Sequence, residues 1–199
     1  MATIELRLDW LGIAAPGPIA GSARAIGGRG GARFAAAQAH DSRGAVIAAA
    51  QLWFATGAFP GQPASDGPRG LDPTPEQHWG DGPFEALLGL ERVRGGAHLQ
   101  PAPAAVGWTG LPAVHGGVVG VLLAAAAEEA LRTHVGLATA PALRLAGLTV
   151  RYLRAVPATG AAASADIGKS GRRSGHVRSR CTTAAGGPVL AEADALFLA

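Results

Sequence analysis

Residues 4–10, IELRLDW, alternate apolar Ile4, Leu6, Leu8 and Trp10 with polar Glu5, Arg7 and Asp9. That period of two marks a strand with one buried face. Residues 148–154, LTVRYLR, repeat the pattern at an offset of 142, with Leu148, Val150 and Tyr152 alternating with Thr149 and Arg151. The segments after the two blocks repeat as well. A short strand leads to a Gly-rich turn (GGRGG, then KSGRR), a longer strand, a second turn (DSRG, then AAGG) and a closing strand. The closing strands AVIAAAQLWF and PVLAEADALF align at an offset of 143. This order predicts a duplicated four-strand antiparallel meander of about 50 residues per copy.

Between the copies lies LPAVHGGVVGVLLAAAAEEALR, residues 111–132, in which Gly116 to Ala127 carry no charge. The run is too short for a bilayer, which needs ~20 apolar residues, and Glu128 and Glu129 end it. It predicts a helix apolar around most of its circumference and so buried on all sides. The expected extent is Gly117 to about His134, with Gly136 as a C-terminal stop. Residues 84–100, FEALLGLERVRGGAHLQ, predict a short apolar start and a strand with a Gly-Gly turn, whereas residues 57–83, rich in Pro, Gly and Asp, read as a linker. The organisation is therefore a four-strand unit at 1–56, a linker at 57–83 and a strand–loop–helix–meander unit at 84–199. The first half has no helix of its own.

Composition narrows the class. With 48% hydrophobic and 16% charged residues in 199, a sizeable core is expected, although much of the apolar count is alanine. Net charge is +3, which tolerates anionic ligands without requiring them. No basic stripe with interleaved aromatics points to nucleic acid. Cys181 is the single cysteine, so no internal disulfide can form, which fits a reducing cytoplasm. The N-terminus MATIELRLDW lacks a signal peptide's apolar stretch. His40, His78, His98, His134 and His176 show no metal-ligand spacing, and no metal is expected.

A strand, then HGG opening an apolar helix, then an antiparallel meander resembles the hotdog fold. Within it the sequence is most similar to acyl-CoA thioesterases of the phenylacetate-pathway and hydroxybenzoyl-CoA type, on LLGLERV, VHGGVV and TVRYLRAVPATG. The resemblance implies an α+β double hotdog, antiparallel sheets around a central helix, with residues 84–199 nearly complete and the first copy lacking its helix. It implies either that the chain begins inside the first copy or that the helix has been lost. It also implies an acyl-CoA substrate, coenzyme A entering only as part of that substrate with no separate cofactor, and a homo-oligomeric cytoplasmic protein without membrane or nucleic-acid partners.

Site residues follow from the same resemblance. The Gly116 amide at the helix start would polarise the thioester carbonyl, Gly117 would shape the turn, and His115 would line the pocket. A glycine-eased helix start and a loop histidine bonded to backbone are the alternatives. The family often has asparagine six residues before this histidine, where Thr109 stands, and Asp or Glu nine residues after, where Ala124 stands. Glu128, one turn beyond Ala124, is the substitute base this chain offers, against a plain polar helix end paired with Arg132. Arg172 and Arg173, in GKSGRRSGHVRSR, are candidates for the coenzyme A phosphates, against a solvated turn. Two functions remain open on the sequence: acyl-CoA thioester hydrolysis, or a non-catalytic acyl-CoA-binding or structural hotdog. A hydratase-type hotdog would need an Asp/His pair that is not evident.

Overall fold

The computed structural model describes residues 2–56, 83–106, 112–135 and 143–199. The 57–83 linker, apart from Pro83, falls outside them, as do Thr109 and Gly136. Four strands form the first half: β1 (Ala2–Trp10), β2 (Ala20–Arg29), β3 (Ala32–His40) and β4 (Val46–Ala55). The second half starts with a short helix α1 (Phe84–Leu88), followed by β5 (Leu90–Val93), β6 (Gly96–Leu99) and the long helix α2 (Gly116–Val135). It closes with β7 (Arg144–Tyr152), β8 (Ala161–Ser170), β9 (Ser174–Thr183) and β10 (Gly186–Leu198). Helix α2 thus extends one residue beyond the sequence expectation at each end. The five-residue α1 was not expected. It stops at Gly89, where a positive φ of 76° and the Gln100 carbonyl oxygen, which any Cβ would strike, leave room for glycine alone.

All ten strands join one antiparallel sheet in the order β2-β3-β4-β1-β7-β10-β9-β8-β6-β5. The order reads outward in both directions from the β1–β7 seam: β1 then β4, β3, β2 on one side, β7 then β10, β9, β8 on the other. At the seam Arg7 pairs with Thr149, its counterpart 142 residues on, and Leu6 with Val150. The two meanders are therefore related by a rotation of about 180° through that pair, and their corresponding ends point opposite ways.

Burial follows the alternation. On one face Leu148, Val150, Ala193 and Ser179 lie under α2, with 4% exposure or less. From α2 itself Leu122 and Leu123 are fully buried, and burying each such side chain is worth roughly 1.5–3 kcal/mol. The opposite face is charged. Arg151 pairs with Glu5, Glu192 and Asp194, Arg178 with Asp194, and Arg180 with Asp166. In the first meander the DSRG turn is pinned by Asp41, whose carboxylate accepts N–H bonds from Ala15, Arg43 and Ala45 at 2.9–3.0 Å. Those bonds, the one from Ala15 most of all, hold the carboxyl below its usual range. No helix among the described residues is long and apolar enough to cross a membrane.

Candidate functional site at the head of helix α2

The segment entering α2 is fixed from two sides. The Val114 N–H donates to the Val156 carbonyl at 2.8 Å and the His115 N–H to the Ala105 carbonyl at 2.9 Å. His115 then caps the helix with its side chain, its Nδ1 accepting the Gly117 N–H at 3.1 Å. The His115 carbonyl accepts the Val118 and Val119 N–H groups at 2.9 and 3.2 Å. That leaves the Gly116 N–H as the first-turn amide without an acceptor among the described residues. It sits at the positive end of a 20-residue helix.

The cap also assigns the histidine's tautomer. With Nδ1 accepting, a neutral ring carries its proton on Nε2 and presents a donor outward. His115 is exposed, so that donor is accessible. Gly117 serves the cap by lacking a side chain, since a Cβ there would lie 3.3 Å from the His115 Nδ1.

Tyr152 closes the other side. Its hydroxyl donates to the Gly116 carbonyl at 2.8 Å, and burial raises its pKa to about 12. An ideal Cβ on Gly116 would meet the ring at 3.5 Å, and one on Gly120 the hydroxyl at 4.0 Å. The helix glycines at 116 and 120, one turn apart, thus seat a single aromatic ring. The alternation predicts Tyr152 packing on a helix; its polar contact with the Gly116 peptide was not legible.

The other expected residues are placed elsewhere. Glu128 lies twelve positions beyond Gly116, about 18 Å along the axis. Its carboxylate pairs with Arg92 at 2.8 Å, and Glu85 holds the same guanidinium. It is an ion-pair partner at the far part of the helix, too distant to act as base at Gly116. Ala124 is packed against the core. Arg132 pairs with the neighbouring Glu129, at 3.1 Å, and not with Glu128.

Arg172 and Arg173 are exposed in the β8–β9 turn. Gly175, next to them, faces Leu131 near the end of α2. From there β9 runs ten residues before reaching the Tyr152 end of the sheet, about 30 Å. The two arginines are therefore at the opposite end from Gly116, because strand alternation does not tell which end of the sheet a turn occupies. The register instead brings the β2–β3 turn to the Gly116 end. Glu5 pairs with Arg151, Thr3 with Phe54 and Arg33 with Phe54. Arg29, Arg33 and the exposed Arg154 are thus the cations at that end. Among the described residues no group of three or more His, Cys, Asp or Glu side chains could hold a metal.

A sheet bent on a long central helix in this order is the hotdog fold. Solved hotdog structures are similar to the chain along nearly all of its length. One is a conserved protein of unknown function with hot dog fold from Alicyclobacillus acidocaldarius, at 12% identity and TM-score 0.58, covering 99% of this chain and 78% of that one. Another is the acyl-CoA thioesterase II TesB2 from Mycobacterium marinum, at 15% identity and TM-score 0.59, covering 99% and 80%. A Bacillus halodurans protein solved with CoA matches over 57% of this chain and 73% of its own, at 21% identity and TM-score 0.50. In sequence, residues 104–198 match the family model of the acyl-CoA thioesterase N-terminal domain. No curated protein matches.

Proposed function

We propose that the chain is a hotdog thioesterase-type protein that holds an acyl-CoA thioester at the head of α2, with two tandem hotdog units sharing the sheet. The observation that carries this reading is the Gly116 amide, left without an acceptor while its neighbours are capped. The thioester carbonyl oxygen would accept the Gly116 N–H, and the His115 Nε2–H is a second donor within the same turn. Water adds to the carbonyl carbon, the oxygen takes the electron pair, and the amide stabilises the charge that develops. Collapse breaks the carbon–sulfur bond. Coenzyme A leaves as the thiol with one proton of the attacking water, the acyl group leaves as a carboxylate, and the water's other proton passes to solvent. HGG and VRYLR support the finer likeness to the phenylacetate-pathway type. Cations at this end, Arg29, Arg33 and Arg154, are better placed for coenzyme A phosphates than Arg172 and Arg173.

A second reading, binding without turnover, is favoured by Ala124 and by the engagement of Glu128 with Arg92. A missing general base alone forfeits ~10²–10⁴ in rate.

The test measures thiol release from an acyl-CoA panel, together with acyl-CoA affinity, for the wild type and Gly116→Pro. Proline removes the N–H and suits the first helical position, so the fold is retained. Hydrolysis is expected to fall by ~10²–10³. Wild-type turnover in folded Gly116→Pro sinks the oxyanion role. Wild-type binding without turnover selects the second reading.

A further inference from the structure

Two hydrogen bonds at the helix head meet on one peptide group. The Tyr152 hydroxyl donates to the Gly116 carbonyl oxygen at 2.8 Å. The nitrogen of that same peptide belongs to Gly117, whose N–H donates to the His115 Nδ1 at 3.1 Å. The path is therefore continuous: Tyr152 O–H to Gly116 C=O, across the peptide to Gly117 N–H, then to Nδ1 and through the ring to Nε2–H. Its near end, Tyr152, is packed against the core, and its far end, His115, is exposed.

Each link pushes charge the same way. An amide whose oxygen accepts a hydrogen bond donates more strongly from its N–H, and bonds in such a chain reinforce one another by roughly 10–30% per bond. A stronger donor at Nδ1 favours the neutral ring that keeps its proton on Nε2. A carbonyl has two lone pairs, so the tyrosine bond is compatible with the helix's own ladder.

Packing alone does not ask for this hydroxyl. The glycines at 116 and 120 seat the ring, and phenylalanine would fill the same seat. The hydroxyl adds a donor aimed at one peptide. The first meander carries Trp10 at the equivalent strand position. That residue is 38% exposed and makes no side-chain hydrogen bond among the described residues. The donor thus occurs in the copy where a helix head stands beside it.

We propose that Tyr152 is a positioning residue that acts through the 116–117 peptide to fix the His115 tautomer and strengthen its Nε2–H as an outward donor. The relay stands on its own geometry, whereas what the donor meets, a thioester carbonyl, rests on the thioesterase reading. On that reading the carbonyl is polarised by two donors of different origin. The Gly116 N–H draws on the helix, and the His115 Nε2–H draws on Tyr152.

Long-range proton–nitrogen correlation of the imidazoles, in the full chain labelled with nitrogen-15 histidine, tests the relay. His115→Asn identifies the His115 signals among the six histidines. The neutral wild-type ring is expected to show Nδ1 unprotonated and Nε2 protonated. Tyr152→Phe keeps the ring in its seat and removes only the donor. With circular dichroism unchanged, it should lower the ratio of the Nε2–H to the Nδ1–H tautomer by about two-fold or more. Fluorotyrosine, incorporated at the chain's one tyrosine, makes the phenol a stronger donor and should move the same signals the opposite way. A tyrosine that only packs would leave them in place in both cases, and that result overturns the proposal. So does a neutral wild-type ring protonated on Nδ1.

Hydrolysis of hexanoyl-CoA and benzoyl-CoA separates the relay from the thioesterase reading. Where the wild type turns over, Tyr152→Phe should lower kcat by about two-fold or more. It should cost nothing further in a His115→Asn chain, where the relay has lost its end. Losses that multiply instead overturn the proposal. A wild type that hydrolyses neither probe counts against the thioesterase reading alone, and the imidazole signals then decide the relay.

Discussion

Tyr152 is the only tyrosine in the chain, so its ionisation can be read without interference. The structure makes a quantitative expectation for it. Burial pushes its pKa from 10.0 to about 12, and its hydroxyl donates at 2.8 Å to the Gly116 carbonyl oxygen. Ionisation would remove that donor and set a phenolate against the lone pairs it now bonds. A shift of about two units corresponds to about 3 kcal/mol. The raised value fixes the sign: the contribution is fully present below pH about 10 and is lost as pH rises through about 12. Cys181 shifts the same way, from 9.0 to about 11 by burial, so total stability mixes the two groups and phenolate absorbance separates them. A pH-jump measurement of that absorbance, read before unfolding, should give half-ionisation near 12 for the folded chain and near 10 in denaturant. Half-ionisation near 10 with native circular dichroism would refute the buried contact between Tyr152 and the helix head.

His115→Ala should cost about 1 kcal/mol in urea denaturation, a typical cap loss, and His115→Asn should recover most of it. Equal losses in both would remove the capping role. Gly120→Ala should stabilise by roughly 0.5–1 kcal/mol, since its methyl meets only ordinary contacts at 3.9–4.0 Å and alanine is the better helix former; a destabilised variant would show the seat of Tyr152 to be tighter than described. Glu128→Gln should cost under about 1 kcal/mol, because Glu85 still holds Arg92 and both carboxylates are partly exposed, and it should leave any thioester hydrolysis unchanged. A large drop in turnover would return Glu128 to the reaction.

The alternation in IELRLDW and LTVRYLR was enough to identify β1 and β7, and the uncharged run from Gly116 was enough to place α2 within a residue at each end. Those signals are local: a period of two or an uncharged apolar run is set by neighbours in sequence. Strand pairing is not local. That Arg7 meets Thr149, and that the meanders consequently run opposite ways, depends on contacts more than a hundred residues apart. For that reason Arg172 and Arg173 could stand as candidates for the phosphates beside a plain solvated turn, although they lie at the other end of the sheet. Arg29 and Arg33 belong to a matching turn whose end of the sheet no periodicity reveals. The head of α2 was half legible. HGG marked the glycines, but the His115 cap that occupies the Gly117 amide and leaves Gly116 free is a matter of rotamer.

One substitution separates a site within one helix from a site assembled between two. Ala124 stands where a resembling family carries its carboxylate, eight positions beyond Gly116 on the same helix. That is about 12 Å along the axis, several times the ~3 Å reach of a general base. A carboxylate installed at 124 therefore cannot activate water for a carbonyl held at Gly116 of its own helix. It could serve only a carbonyl held at a second helix head alongside, and among the described residues the first meander brings none. Ala124→Asp in the isolated chain should accordingly leave thiol release within about three-fold of the wild type, even where acyl-CoA still binds. A gain of ~10² or more, the lower bound for a working general base, would mean that the carbonyl lies deeper along α2 than Gly116, and the placement of the thioester would have to move with it.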